Sequence, residues 1–184
     1  MCNFWSAIIT KNGDVLYDNM TDSHEDIVQK YKLDDSIIEV DKRDFVRIEI
    51  LPPDGDVFNK ELATWEFKID ELEAPKWLKN RHEKSARKMF EKVYHERIFD
   101  SVKNAVIKLS RAIIRNSSVE ARGNSSVEAW ENSSVEARGN SSVEARGNSS
   151  VVARENSVIR NFKDYSGDLF SPRKVKKVKE GFKI

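Results

Sequence analysis

Residues 116 to 147 read "NSSVEARG NSSVEAWE NSSVEARG NSSVEARG", one octapeptide written four times with two substitutions in the second copy. A unit this short cannot bury its own apolar side chains, so it must stack on further copies of itself. Asn recurs at 116, 124, 132, 140, 148 and 156. Val follows three residues later at 119, 127, 135, 143 and 151, with Ile159 in the sixth place, and Ala recurs at 121, 129, 137, 145 and 153. Val and Ala are two apart, so in a strand they share a face. Glu and Arg alternate with them and face outward.

Two β arrangements use such a repeat. An antiparallel meander turning at Gly123-Asn124 sets Val119 opposite Glu128 and Ala121 opposite Ser126, which destroys the apolar side. A parallel stack places Val over Val, Ala over Ala and Asn over Asn. The repeat therefore predicts a short parallel β-solenoid over residues 101–162, with Gly and Asn at its corners. Small interior residues require a thin core, and coils built of two octads or of three both satisfy this. The runs "VKNAVIKLSRAIIRN" and "SVIRNF" extend the stack at either end, and the β-branched pairs Val106-Ile107 and Ile113-Ile114 favour strand over helix for residues 101–112. The outward Glu and Arg read as a solubilising ladder, with Trp130 interrupting the Arg row.

Residues 1–100 read as an α+β head, an antiparallel sheet with covering helices. "NFWSAIITKNGDVLYD" is a hairpin turning at Asn12-Gly13. "TDSHEDIVQKYKL" starts a helix capped by Ser23, with Glu25 and Asp26 in its first turn and Ile27, Val28 and Tyr31 as its apolar face. "RDFVRIEILPPDGD" is a strand with Val46, Ile48 and Ile50 on one side and Phe45, Arg47 and Glu49 on the other. It ends at a Pro-Pro-Asp-Gly turn. "TWEFKID" alternates in the same way, with Trp65, Phe67 and Ile69 inward, so both strands predict a sheet with one covered face. Residues 80–99 carry a helical stripe of Ala86, Met89, Phe90, Val93 and Arg97. Residues 163–184 form a basic tail that caps the solenoid, with Tyr165, Leu169 and Phe170 placed to plug its end.

Composition excludes several classes of function. Lys and Arg number 32 against 31 Asp and Glu, so the chain as a whole is no polyelectrolyte. The one cysteine, Cys2, excludes an internal disulfide framework and any CxxC zinc or redox site. His82-Glu83 and His95-Glu96 lack the HExxH spacing, and no Gly-rich phosphate loop is present, so no metal or cofactor is expected. No apolar run is long enough to span a bilayer and no basic-then-apolar leader opens the chain, which predicts a cytoplasmic protein with no membrane partner.

Three sets of residues can carry chemistry. Cys2 joins a thiol to its own α-amine if Met1 is trimmed, and His24 can serve it as a base if the helix start packs nearby; otherwise His24 is a surface residue of a first helical turn. Arg47 and Glu49 share a strand face that can hold an anionic or polar small molecule, the other reading being a solvated face. Arg173, Lys174, Lys176 and Lys177 form a basic cluster open to an anionic ligand, with nucleic acid the less favoured one because no aromatics interleave.

The stretch "MCNFWSAIITKNGDVLYDNMTD" resembles the opening of N-terminal-nucleophile hydrolases of the choloylglycine-hydrolase type. Cys2 stands at the nucleophile, Lys11-Asn12-Gly13 at the turn, and Asn19-Met20 at the later pair. The family's arginine falls on Asp18 and its aspartate on Thr21, and the chain is too short for that family's four-layer fold. A broader resemblance covers nearly the whole chain. The Met-Cys start, "DSHED", "FVRIEILPPDGD" and the "NSSVEA" octads are similar to uncharacterised proteins of phages and prophages, which implies an accessory role in host manipulation or defence evasion within the host cytoplasm. Three functions stay open: an accessory binding protein that captures a host macromolecule or a small anionic ligand, with the solenoid favouring homo-oligomers; a Cys2 hydrolase or transferase; and a structural virion spacer.

Overall fold

The computed structural model describes residues 5–161 and 174–177, and the chain divides after His95 into two compact units. The first unit begins with strands β1 (Trp5–Thr10) and β2 (Val15–Leu16), followed by helix α1 (His24–Tyr31) and strand β3 (Phe45–Leu51). Strand β4 (Glu66–Ile69) and helix α2 (Asn80–Arg97) complete it. The strands form an antiparallel sheet in the order β2-β1-β3-β4. Asn12 and Gly13 make the β1–β2 turn, where Gly13 takes φ 99° and its N–H donates to the Thr10 carbonyl at 2.8 Å. Positive φ carries no steric penalty in glycine.

Register decides which side chains meet. Trp5 pairs with Ile50, Ala7 with Ile48 and Ile9 with Val46. Alternation along the strands puts these six on one face. Phe90 of α2 packs there, with ring centroids 5.7 Å from Trp5 and 4.9 Å from Trp65. The single covered face expected from the sequence is too few. On the opposite side Ile8 and Phe45 bury against Ile27 of α1, with Leu16, Val28 and Leu33 at the margin. Ser23 caps α1 as expected, its hydroxyl accepting the Asp26 N–H at 3.2 Å.

The second unit is a parallel β-solenoid. Its strands are β5 (Ile98–Asp100), β6 (Ala105–Lys108), β7 (Arg111–Arg115), β8 (Ser118–Arg122), β9 (Ser126–Trp130), β10 (Ser134–Ala137), β11 (Ser142–Ala145), β12 (Ser150–Ala153), β13 (Val158–Asn161) and β14 (Lys174–Lys177). Odd strands from β5 to β13 form one sheet and even strands from β6 to β14 the other. Val135 pairs with Val119 on one side and Val151 on the other, and Val143 pairs with Val127. Each partner is the second octad along rather than the next, so a coil holds two octads, one per sheet. Val119, Ala121, Val127, Ala129, Val135, Ala137, Val143, Ala145 and Val151 lie in one buried cluster between the sheets. Residues 101–112 do not continue α2. The helix ends at Arg97, short of the residue 99 that the sequence stripe suggested, and β5 begins at once.

The corners explain the other half of the octad. The serine that follows each repeat asparagine is buried: Ser117, Ser125, Ser133, Ser141, Ser149 and Ser157 are all at most 6% exposed. Ser141 donates to the Arg138 carbonyl at 2.7 Å and lies 3.3 Å from the Gly123 carbonyl of the coil below. Ser149 repeats the pattern with Arg146 and Glu131. These buried hydroxyls thus find acceptors at the corner, where the Gly123 carbonyl also accepts the Asn140 N–H at 2.8 Å. The asparagines stack as well, Asn140 donating to Asn124 and Asn156 to Asn140, both at 3.3 Å.

Candidate functional site

Arg47 projects from β3 on the α1 side of the head sheet and is already paired. Its Nη2 lies 2.5 Å from Asp35 and its Nη1 3.1 Å from Glu71. Arg43 shares Glu71 at 2.7 Å, and both guanidinium groups sit over the Phe45 ring. Burial opposes the charge of Arg47, but the hydrogen bonds to Asp35 and Glu71 outweigh it and hold its pKa above the ordinary guanidinium value. Two arginines facing two carboxylates form a compensated cluster, which favours no added anion. Glu49 is half-buried on the same strand, beside Ser6 and Lys68 on the neighbouring strands. Asp35 precedes β3 and Glu71 follows β4, so the local pattern around Arg47 gave no sign of either.

His24 is not the surface residue expected. It is 3% exposed, with Nε2 3.1 Å from the Ile48 carbonyl and Nδ1 3.1 Å from an Asp70 carboxylate oxygen. The ring thus ties the start of α1 to β3 and to the residue after β4. His82, fully buried, accepts the Lys79 N–H on Nδ1 at 2.8 Å. Its Nε2 therefore carries the ring proton and donates to the Lys11 carbonyl at 3.3 Å. Among the described residues no cluster of His, Cys, Asp and Glu could hold a metal ion. Cys2 and Arg173 lie outside the described residues.

The head does contain a cleft of about 460 Å³ beside the β1–β2 turn. Leu33, Ile37 and Phe45 contribute its apolar lining, and Asp14, Asp34 and Asp44 outnumber Lys11 and Lys32 around it. This polarity does not suit an anion.

Positive charge concentrates elsewhere. On the outer face of the even-stranded sheet, Glu120 and Glu136 pair in one column, and the backbone N–H groups of Arg138 and Arg154 bond to Ala121 and Ala137 of the coil before, which keeps Arg122, Arg138 and Arg154 in step along the next. Arg122 contacts Glu120 at 2.6 Å, and Arg138 bridges Glu120 at 3.0 Å and Glu136 at 2.7 Å. Arg154 reaches back to Glu136 at 2.8 Å. Hydrogen bonds from Arg154 and Arg138 hold the Glu136 carboxyl below its ordinary pKa, and the hydrogen bond from Arg122 does the same for Glu120. Two carboxylates therefore serve three guanidinium groups, because Val152 takes the third glutamate position.

Strand β14 continues the imbalance. It pairs in parallel with β12, placing Lys174 beside Ser150, Lys176 beside Val152 and Lys177 beside Ala153. Lys174, Lys176 and Lys177 of the basic cluster read from the sequence thus fall on the strand that ends this sheet among the described residues, beside β12. By count, residues 1–95 carry 15 Lys and Arg against 20 Asp and Glu, and residues 96–184 carry 17 against 11. The near-neutral whole divides into an acidic unit and a basic one.

The odd-stranded sheet presents a different outer face. Arg146 binds Glu128 at 3.0 Å and Glu144 at 2.7 Å, and its guanidinium lies 4.5 Å from the Trp130 ring centroid. Burial raises the Glu128 pKa above the ordinary carboxylate value, against the attraction of Arg146. Trp130 is thereby stacked on the neighbouring coil's arginine, an arrangement that the run of octads alone did not disclose.

No family model, curated protein or solved structure matches this chain. Among the described residues, no helix is long and apolar enough to cross a membrane.

Proposed function

We propose that the chain is an accessory binding protein of the phage kind, which captures an anionic host macromolecule at the C-terminal end of its even-stranded sheet. The observation that carries this reading is the progression of charge along that sheet. The first two octad strands set Glu beside Arg, β12 sets Val152 beside Arg154, and β14 brings Lys174, Lys176 and Lys177. Charge is balanced in the middle of the stack and positive at both ends, since β6 already sets Val106 beside Lys108. The C-terminal end is distinguished by the three further lysines in register on β14. An acidic protein surface suits this end better than a nucleic acid, because no aromatic interrupts Lys174–Lys177 to stack a base. Each identical coil offers the same chemistry, which suits presentation better than catalysis.

The test is fluorescence anisotropy with labelled polyglutamate at low salt. The triple variant Lys174→Glu, Lys176→Glu, Lys177→Glu is expected to bind at least about tenfold more weakly, and Arg47→Ala to bind like the parent. Loss of binding in Arg47→Ala with the triple variant unaffected would move the site to the head and overturn the reading.

A further inference from the structure

Four segments of the head build the cleft beside the β1–β2 turn. The turn supplies Asp14, the chain just past α1 supplies Leu33 and Asp34, the loop that follows supplies Ile37, and the entry to β3 supplies Asp44 and Phe45. Its volume of about 460 Å³ lies within the range of small-molecule sites. The backbone fixes its walls. The Lys11 N–H donates to the Asp44 carbonyl at 2.7 Å, which ties the turn to β3. Lys32 takes φ 54° at the end of α1, and the Leu33 N–H returns to the Val28 carbonyl at 3.0 Å. Leu33 is thereby packed against the buried Ile8, Ile27 and Phe45 cluster.

The carboxylates of this cleft are poorly compensated. Asp14 accepts the Thr10 hydroxyl at 3.3 Å, and Asp34 accepts the Ser36 N–H at 3.0 Å and the Ser36 hydroxyl at 2.6 Å. These donors are neutral. Among the described residues the only cation paired with any of the three acids is Lys11, 3.8 Å from Asp44. One residue on, Asp35 and its neighbour Glu71 have two guanidinium groups between them. Hydrogen bonds from Ser36 hold the Asp34 carboxyl below its ordinary pKa, so it is ionised at neutral pH. Among the described residues no acids converge closely enough to hold a metal ion. Separate negative charges around an apolar lining suit a cation whose own charges are separated by apolar spacers.

We propose that this cleft binds a linear aliphatic polyamine, with ammonium groups paired to Asp14, Asp34 and Asp44 and methylene spacers laid on Leu33, Ile37 and Phe45. Lys11 and Lys32 stand around the same cleft as competing cations, and binding through exposed charges weakens as salt screens them. The site lies wholly in the head and does not depend on the capture end proposed above.

Isothermal titration calorimetry with spermidine at low salt tests the proposal. The parent chain is expected to bind, and the variant Asp34→Asn with Asp44→Asn to bind at least about fivefold more weakly, as the loss of two exposed ion pairs implies. Ile37→Ser keeps every charge and is expected to weaken binding through the lost methylene contact. Lys11→Ala is expected to tighten binding by freeing Asp44. Lys76→Ala, which removes the same charge beside Asp41, is expected to bind like the parent. Circular dichroism checks that each variant is folded, and if the paired variant is not, the contrast between Lys11→Ala and Lys76→Ala decides. No binding by the parent, full binding by the folded paired variant or by Ile37→Ser, equal tightening by the two lysine variants, or preference for a trilysine peptide over spermidine would each overturn the proposal.

Discussion

At the residue scale, the eighth position of the octad shows how the turn constrains the sequence. Gly123, Gly139 and Gly147 take φ of 70°, 68° and 61°, and Glu131 and Glu155 hold the same place at 57° and 54°. A side chain in this conformation costs about 1–2 kcal/mol. Glu131 offsets part of that by accepting the Asn116 side-chain amide at 2.8 Å, and Glu155 by accepting the Gly139 N–H at 2.7 Å. A Cβ at Gly147 would stand 3.1 Å from Glu131 Cα. Gly147→Ala is therefore expected to destabilise the solenoid by about 1–2 kcal/mol. Glu131→Gly is expected to be near neutral, because the relieved backbone offsets a lost hydrogen bond of about 0.5–1.5 kcal/mol. Urea denaturation midpoints of the two variants check this, and equal losses would contradict it. Individual side chains were the least legible level in the sequence. His24 sits in the first turn of a helix whose Ser23 cap was readable, yet the Ile48 carbonyl of β3 and the Asp70 just past β4 that enclose it lie far along the chain. Arg47 likewise reads as an outward strand residue until Asp35 and Glu71 arrive from other segments.

At the element scale, parallel stacking was legible because only that pairing lays Val119, Val135 and Val151 together. Coil length was not legible, because every octad ends in the same corner and nothing in it counts turns. The buried serines hold each corner to the coil before it, as Ser141 does at Gly123 and Ser157 at Gly139. The start of the solenoid was equally hidden, since α2 passes into β5 at Ile98 with no glycine or proline to mark it. A two-octad coil makes deletions unequal. Removing positions 132–147 takes out one coil and leaves later strands in their own sheets. Removing positions 140–147 exchanges the sheets beyond the cut and puts Glu155 where Gly147 stood, over Glu131. The whole-coil deletion is expected to unfold cooperatively with a reduced urea m-value, in proportion to the surface lost. The single-octad deletion is expected to be the less stable of the two, although it retains more chain, and the reverse order would count against a two-octad coil.

At the scale of the whole molecule, a nearly neutral composition conceals an acidic head and a basic solenoid with its tail. The two units also differ in kind. The head is stitched by contacts far apart in sequence, such as Trp5 with Phe90 and Arg47 with Glu71, whereas the solenoid repeats one local interface. A chain built this way can change the length of its second unit without redesigning the first. The proposed capture end depends on the solenoid having two sheets, with β14 next to β12 rather than elsewhere. Cross-linking tests that arrangement most directly. In a Cys2→Ser background, Glu120→Cys with Glu136→Cys places the pair on adjacent strands of one sheet, about 4.8 Å apart and within the reach of a disulfide. Glu120→Cys with Glu128→Cys places the pair on different sheets. Under mild oxidation, rapid intramolecular closure of the first pair and none of the second is the expected result. Closure of the second pair, or of neither, would contradict the two-octad coil.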